Sequence, residues 1–277
     1  MPTPGQLALL IFAIVIFAIG GAASVLRLQG EPSRRLLLAK QCLYWGLLVS
    51  VAVLIWHCIT RGSWIPLEDN FDAMLWLAIL LTAFVLYVQT TKPVEGIDWF
   101  IMPIVILLLV AAVIFGREKP RLYTLQTWAW VHRVTAYGGA VAFVVAGAVG
   151  VMYLITNARL RNRLVVTGGT NFGSLERLEH FTRVSVTLGF ALLTIGLITG
   201  VVEILHRPGS NPLGRDWFFH PIVLLTLGVW VIYALVLHAP INPAFRGRRA
   251  AMLSIVGLVL MIGAIIAVQW MPKTGGH

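Results

Sequence analysis

The chain has 277 residues, of which 58% are hydrophobic and 12% are charged, and its mean hydropathy is +0.87. A soluble domain needs a more polar surface, so this composition predicts an all-α polytopic membrane protein. The formal net charge of +10 does not indicate nucleic-acid binding, because most basic residues lie in short segments between apolar stretches, without interleaved aromatic residues. That pattern indicates membrane topology and contact with the headgroups of the lipid bilayer.

Eight apolar stretches are long enough to cross a bilayer as helices, and together they predict a single transmembrane domain over residues 1–277. The connecting segments carry turn-forming and charged residues, and none is long enough for a soluble domain. Basic residues cluster after the first, fifth and seventh stretches, which assigns those segments to the cytoplasm and both termini to the outer side of the cell inner (cytoplasmic) membrane. The stretches lie at roughly 7–26, 40–59, 71–90, 97–116, 127–156, 181–205, 218–238 and 250–270.

The chain contains two cysteines, Cys42 and Cys58, near opposite ends of the second predicted helix. Sixteen residues of helical rise separate them by about 24 Å, which is too far for a disulfide. The sequence contains no CxxCH segment, so this chain is not itself a c-type cytochrome.

The histidines sort by membrane level in this predicted topology. The residues expected at the outer interface are His57, His132, His206, His220 and His277, and those expected at the inner interface are His180 and His238. Lone histidines are tolerated at interfaces, so His57, His180 and His206 are interpreted as structural. His132 lies within an apolar span, which makes it a functional candidate. Two imidazoles at matched depth on neighbouring helices can hold a planar metal macrocycle.

Other catalytic chemistries lack their sequence patterns. A zinc hydrolase is not supported, because the histidines form no HExxH motif and no carboxylates are expected beside them at ligand spacing. A serine hydrolase would need GxSxG, and the glycines of "VVTGGTNFG" lack the Lys-Ser/Thr of a phosphate-binding loop.

Several aromatic residues share the predicted outer level with the candidate histidines. Tryptophans at span ends mostly form the ordinary aromatic belt of membrane proteins. A porphyrin needs flat apolar walls, however, so Trp128 and Trp217 are candidate wall residues. The full aromatic set at this level is Trp128, Trp130, Trp217, Phe218 and Phe219.

Four segments of the chain carry a likeness to a known family. They are "GSWIPLEDNFDAM", "WAWVHRVTAYGGAVAF", "LERLEHFTRVSVTLGFALLTIGLITGVV" and "DWFFHPIVLLTLGVWVIYALVLHAPINPAFRGRRAAMLSIVG". Through them, residues 60–277 resemble the cytochrome c assembly family, the haem-handling membrane proteins that include CcsA, CcmC and HemX-like members.

The resemblance implies a set of haem-binding residues. His132 and His277 match the family's two external haem-ligand histidines, and His238 matches its inner-membrane histidine. Trp217 matches the tryptophan-rich haem segment, but His220 stands in place of that segment's Asp, and its Lys-Glu-Thr is missing. The implied cofactor is non-covalent haem b, with the iron held by His132 and either His277 or His220.

The function implied by the resemblance is haem handling in cytochrome c biogenesis, with haem moved to or presented at the outer face of the membrane. The chain would be at most one component of a cytochrome c haem lyase complex, with a CcsB-like membrane partner and an apocytochrome c that supplies the CxxCH thiols. Three alternatives stay open: a HemX-like regulator of tetrapyrrole synthesis, a b-type haem electron-transfer subunit using His132 and His220, and a structural membrane scaffold.

Overall fold

The described residues of the computed structural model form eight α-helices and one short 3₁₀ turn, with no strand among them, which confirms the predicted all-α fold. The helices are α1 Pro4–Leu26, α2 Pro32–Arg61, α3 Asn70–Thr91, α4 Ile97–Phe115, α5 Thr127–Arg161, α6 Leu175–His206, α7 Pro221–Leu237 and α8 Arg248–Trp270, and the 3₁₀ turn is Trp217–Phe219. The described residues are 2–26, 32–62, 69–91, 96–116, 127–161, 174–206, 217–219, 221–238 and 247–270.

Within the described residues, six helices have the length and apolar composition needed to cross a membrane, so the chain is a multi-pass membrane protein. The other two predicted spans correspond to α7, whose 17 residues form a shorter apolar helix, and to α8. The six spans are Pro4–Leu26, Leu37–Arg61, Asn70–Thr91, Ile97–Phe115, Trp128–Arg161 and Leu175–Glu203.

The helices begin and end several residues away from some of the predicted span limits. Helix α2 begins at Pro32 and α5 continues to Arg161, because arginine and lysine end an apolar stretch without ending a helix. Helix α6 begins directly after Ser174, a residue type favoured at the N-cap. Helix α7 begins at Pro221, since proline is favoured in the first helical position.

The chain divides into two compact units, of which the first contains α1 to α4. In this unit α1 packs against α2 and α4, and α3 packs against the same two helices, so the four helices form a ring. Phe17, Phe71 and Ile101 are fully buried core residues. Cys42 and Cys58 form no disulfide with each other, as expected from their spacing.

The second unit contains α5 to α8, also as a ring in which α5 and α7 each pack against α6 and α8. At its centre the rings of Phe143 and Tyr233 stack with centroids 3.7 Å apart. Tyr233 also donates its hydroxyl to the carbonyl oxygen of Ser254 at 3.2 Å, and Trp230 donates its indole N–H to Thr194 Oγ1 at 3.0 Å. These bonds fix α7 against α8 and α6. The assignment of both units to one transmembrane domain stays a prediction.

Candidate functional site

His132 is the sixth residue of α5, and its imidazole is held by α6. The ring atom Nδ1 lies 2.6 Å from the carbonyl oxygen of Gly196. A carbonyl oxygen only accepts hydrogen bonds, so Nδ1 must carry the proton, and in the neutral ring the lone pair then lies on Nε2. Metal-ligating histidines are oriented in the same way, by an N–H bond from the nitrogen that does not bind the metal.

Gly200 provides the space that the His132 ring occupies. A Cβ atom at Gly200 would lie 2.9 Å from both Cε1 and Nδ1 of the imidazole, closer than an ordinary contact. Gly196 and Gly200 are one helical turn apart, so one face of α6 supplies both the hydrogen-bond acceptor and the room beside it. The ring itself is half-buried.

Trp128 lies one turn before His132 on the same face of α5, because residues four apart share a helix face. Its side chain is 49% exposed, so its flat apolar surface is available to a bound group. The exposed tryptophan and the oriented imidazole are therefore compatible with the predicted role of Trp128 as a porphyrin wall.

His238 directly follows α7, and its side chain is exposed. Its Nδ1 donates to the carbonyl oxygen of Ala234 at 2.7 Å, within the same helix. By the same argument as for His132, the neutral ring keeps its lone pair on Nε2. Each of these two predicted ligands therefore presents one imidazole nitrogen that is not used by the backbone bond.

His132 and His238 lie at opposite ends of the second unit. Within α5, His132 and Tyr153 are 21 residues apart, which corresponds to about 32 Å of helical rise. The hydroxyl of Tyr153 lies beside Gly247, the residue before α8, and α8 is bonded to α7 through Tyr233, five residues before His238. His238 therefore belongs to the Tyr153 end of the unit. The membrane level of each histidine stays a prediction.

Three predicted site residues are not placed by the structure. His220, His277 and the side chain of Trp217 lie outside the described residues, so the second axial ligand stays a prediction. In the described part of the 3₁₀ turn, Phe218 and Phe219 are both strongly exposed.

A second polar cluster lies in the first unit, where α2 ends and α3 begins. His57 is 1% exposed, and its Nε2 lies 3.0 Å from Oδ2 of Asp69 and 3.8 Å from Oδ1 of Asp72. Arg61 bonds the other carboxylate oxygen of Asp72. The expectation that no carboxylate lies beside a histidine at ligand spacing is wrong here, because the packing of α2 with α3 places the acidic pair beside His57.

The sequence contains a local signal for this cluster, although His57 was predicted to be a structural residue. His57 and Arg61 are four residues apart at the end of α2, and Asp69 and Asp72 are three apart at the start of α3. Burial by itself would raise the pKa of Asp69, but the contact with His57, the bond from the Asp72 amide and the charge of Arg61 hold the pKa of that carboxyl below its ordinary value.

Comparisons with known proteins identify the family to which most of the chain is similar. The cytochrome c assembly protein family matches residues 36–274, beginning before the segments that first indicated the likeness. The cytochrome c biogenesis protein CcsA of Guillardia theta is 20% identical over 246 residues, which cover 81% of this chain and 80% of that protein. No solved structure matches the chain.

Two further relatives carry the same name. The cytochrome c biogenesis protein CcsA of a Prochlorococcus marinus strain is 23% identical over 247 residues, covering 79% of this chain and 76% of that protein. The CcsA protein of a Synechococcus strain is 33% identical over 99 residues, covering 36% of this chain and 29% of that protein. Because the family match spans most of the sequence, this chain belongs to the cytochrome c assembly protein family.

Proposed function

We propose that this chain handles haem during cytochrome c assembly and presents it at the outer face of the inner membrane, with His132 as an axial ligand. Family membership supports the role in cytochrome c assembly. The observation that carries the haem proposal is the bond between Nδ1 of His132 and the Gly196 carbonyl oxygen at 2.6 Å, which leaves Nε2 as the free donor atom.

The residues around His132 fit a haem group. A neutral imidazole is the commonest protein ligand of b-type haem iron, and its orientation here is fixed by a backbone acceptor. Gly200 keeps the neighbouring turn of α6 free of a side chain, and Trp128 offers an exposed flat surface on the same face of α5. When bound, haem supplies the iron that the imidazole ligates and the vinyl groups that react with cysteine thiols.

Within this proposal the two described histidines have separate tasks. His238 would hold haem at the cytoplasmic end of the second unit, and His132 would hold it at the outer end. His277 or His220 completes the ligand pair, and Trp217 contributes an aromatic wall. The thiols come from an apocytochrome c, since this chain has no CxxCH segment, and a CcsB-like protein is the proposed membrane partner.

The test is the haem content of the full-length protein purified in detergent from cells with abundant haem supply. Absorption spectra of the oxidised and dithionite-reduced protein, with a pyridine extract, quantify the haem. His132→Gly is expected to lose haem or to change its reduced spectrum, and His238→Ala to alter loading. His180→Ala removes an exposed histidine from α6 and serves as the matched control, with unchanged haem expected.

Chemical rescue separates a ligand from a structural residue. Adding free imidazole to His132→Gly is expected to restore the wild-type reduced spectrum, because the small molecule replaces the missing donor atom. A wild-type protein without haem, or a His132→Gly protein with unchanged haem, would refute the proposal and favour a regulatory or scaffold function.

A further inference from the structure

We propose that the first unit contains a binding site for one divalent transition-metal ion of the Zn²⁺ class, formed by His57, Asp69 and Asp72. These three residues each offer a ligand atom, and the three atoms lie within 4.8 Å of one another. The site lies in the first unit, whereas His132 and His238 belong to the second, so the inference does not rest on the proposed haem function.

The hydrogen bonds of Gln6 fix which nitrogen of His57 carries a proton. Thr60 donates its hydroxyl to backbone carbonyl oxygens of α2, so its Oγ1 accepts from the Gln6 side-chain amide at 2.9 Å. The Thr3 amide donates to Oε1 of Gln6, also at 2.9 Å. Both contacts orient Oε1 toward Nδ1 of His57, 3.2 Å away. Because Oε1 is only an acceptor, Nδ1 must donate the proton.

The other ring nitrogen of His57 then faces acceptors alone. Its Nε2 lies 3.0 Å from Oδ2 of Asp69 and 3.8 Å from Oδ1 of Asp72, and two ionised carboxylates cannot donate. A proton, on His57 or on one of the carboxyls, or a metal ion must therefore lie between these atoms, in addition to the charge of Arg61, which lies 3.6 Å from Oδ2 of Asp69.

The carboxylate of Asp72 favours the metal ion. Asp72 is fully buried, and its Oδ1 has no hydrogen-bond partner among the described residues, although its other oxygen binds Arg61. A proton on Nε2 would donate a hydrogen bond to Asp69 but would leave Oδ1 of Asp72 without a donor. An unsatisfied buried carboxylate oxygen destabilises the folded protein. One metal ion would serve all three ligand atoms.

The ligand types and spacings indicate the class of metal. Zn²⁺ binds nitrogen and oxygen ligands tetrahedrally at about 2.0–2.2 Å, which places neighbouring ligand atoms about 3.4 Å apart. The distances from Nε2 of His57 to the Asp69 and Asp72 oxygens, 3.0 and 3.8 Å, fall on either side of that spacing. An imidazole ligand disfavours Ca²⁺ and Mg²⁺, which prefer oxygen ligands. Gln6 and Arg61 act as outer partners that orient His57 and Asp72.

The experiment is a metal titration of the chelator-treated, full-length protein in detergent. Co²⁺ serves as the optical probe, and Zn²⁺ is then added to displace it, since Zn²⁺ binds such sites more tightly. The expected result is one equivalent bound per chain, with Asp69→Asn and Asp72→Asn each weakening binding at least about 10-fold. Asp98→Asn is the matched control, because Asp98 is a buried carboxylate of the same unit that bonds Ser24 instead.

Two further measurements keep the proposal testable if a variant fails to fold. Zinc X-ray absorption of the wild-type protein must show oxygen and nitrogen ligands at about 2.0–2.2 Å with a single imidazole and no sulfur. His132→Gly must bind the metal with wild-type affinity, which separates this site from the haem proposal. The site is overturned if the folded wild-type protein binds no stoichiometric metal, or if both Asn variants bind it with unchanged affinity. It is also overturned if the metal has several imidazole ligands. A doubly protonated His57 then explains the cluster.

Discussion

Gly200→Ala tests the orientation of His132 without removing any candidate ligand. The new Cβ would lie 2.9 Å from two ring atoms of His132, whereas ordinary contacts begin near 3.4 Å. The imidazole must therefore move by about 0.5 Å to reach an ordinary contact distance. That movement breaks or lengthens the 2.6 Å bond to the Gly196 carbonyl oxygen.

The expected loss of haem affinity follows from the loss of that one hydrogen bond. A neutral hydrogen bond contributes about 1 kcal/mol net, which corresponds to about a fivefold change in a binding constant. Loss of a partner that orients a metal ligand lowers metal affinity by about 10- to 100-fold. Gly200→Ala is therefore expected to weaken haem binding by about 5- to 10-fold, with the ligand atoms still present.

The assay is a haem titration of the haem-depleted protein in detergent, followed at the Soret band. Gly228→Ala is the matched control, because Gly228 lies in α7 of the same unit and a Cβ there meets nothing within 4 Å. Both substitutions change the intrinsic helix propensity equally, so the difference in haem affinity between the two variants reports the contact of residue 200 with His132.

A double-mutant cycle decides whether the effect passes through the imidazole. In a His132→Gly background, Gly200→Ala is expected to cause no additional loss. Equal haem affinity for Gly200→Ala and Gly228→Ala would refute the argument that the Gly196 bond and the space at Gly200 position the ligand.

Two further predictions concern the stability of the helix packing, and both are measured as thermal unfolding in detergent. Thr194→Val keeps the side-chain shape but removes the acceptor of the Trp230 indole N–H, and should destabilise the protein by about 0.6 kcal/mol, the average for such bonds between membrane helices. A loss above about 2 kcal/mol would contradict that attribution. Arg61→Met leaves the buried carboxylate of Asp72 without its cationic partner and should cost about 3–5 kcal/mol. Arg183→Met removes an exposed pair as its control and should cost about 0–1 kcal/mol, so equal losses in the two variants would exclude charge burial as the cause.

The sequence by itself determined the helices and the membrane class, because hydropathy, length and helix propensity are local properties of a segment. It also placed His132 about one turn inside α5 and His238 at the end of α7, since both positions follow from where apolar stretches begin and end. The limits of α2 and α6 differ from those of the predicted apolar stretches, because helical conformation continues through polar residues that end an apolar stretch.

Only the tertiary structure decided which ring nitrogen of His132 and of His57 donates a hydrogen bond to another helix. The acceptor for His132 lies 64 residues away on α6, and the partner that fixes His57 lies 51 residues away on α1. These contacts depend on how closely two helices approach, and that distance is set by small residues such as Gly200. The buried charges beside His57 likewise come together only when α2 and α3 pack, because burial and hydrogen-bond direction are properties of the assembled helices.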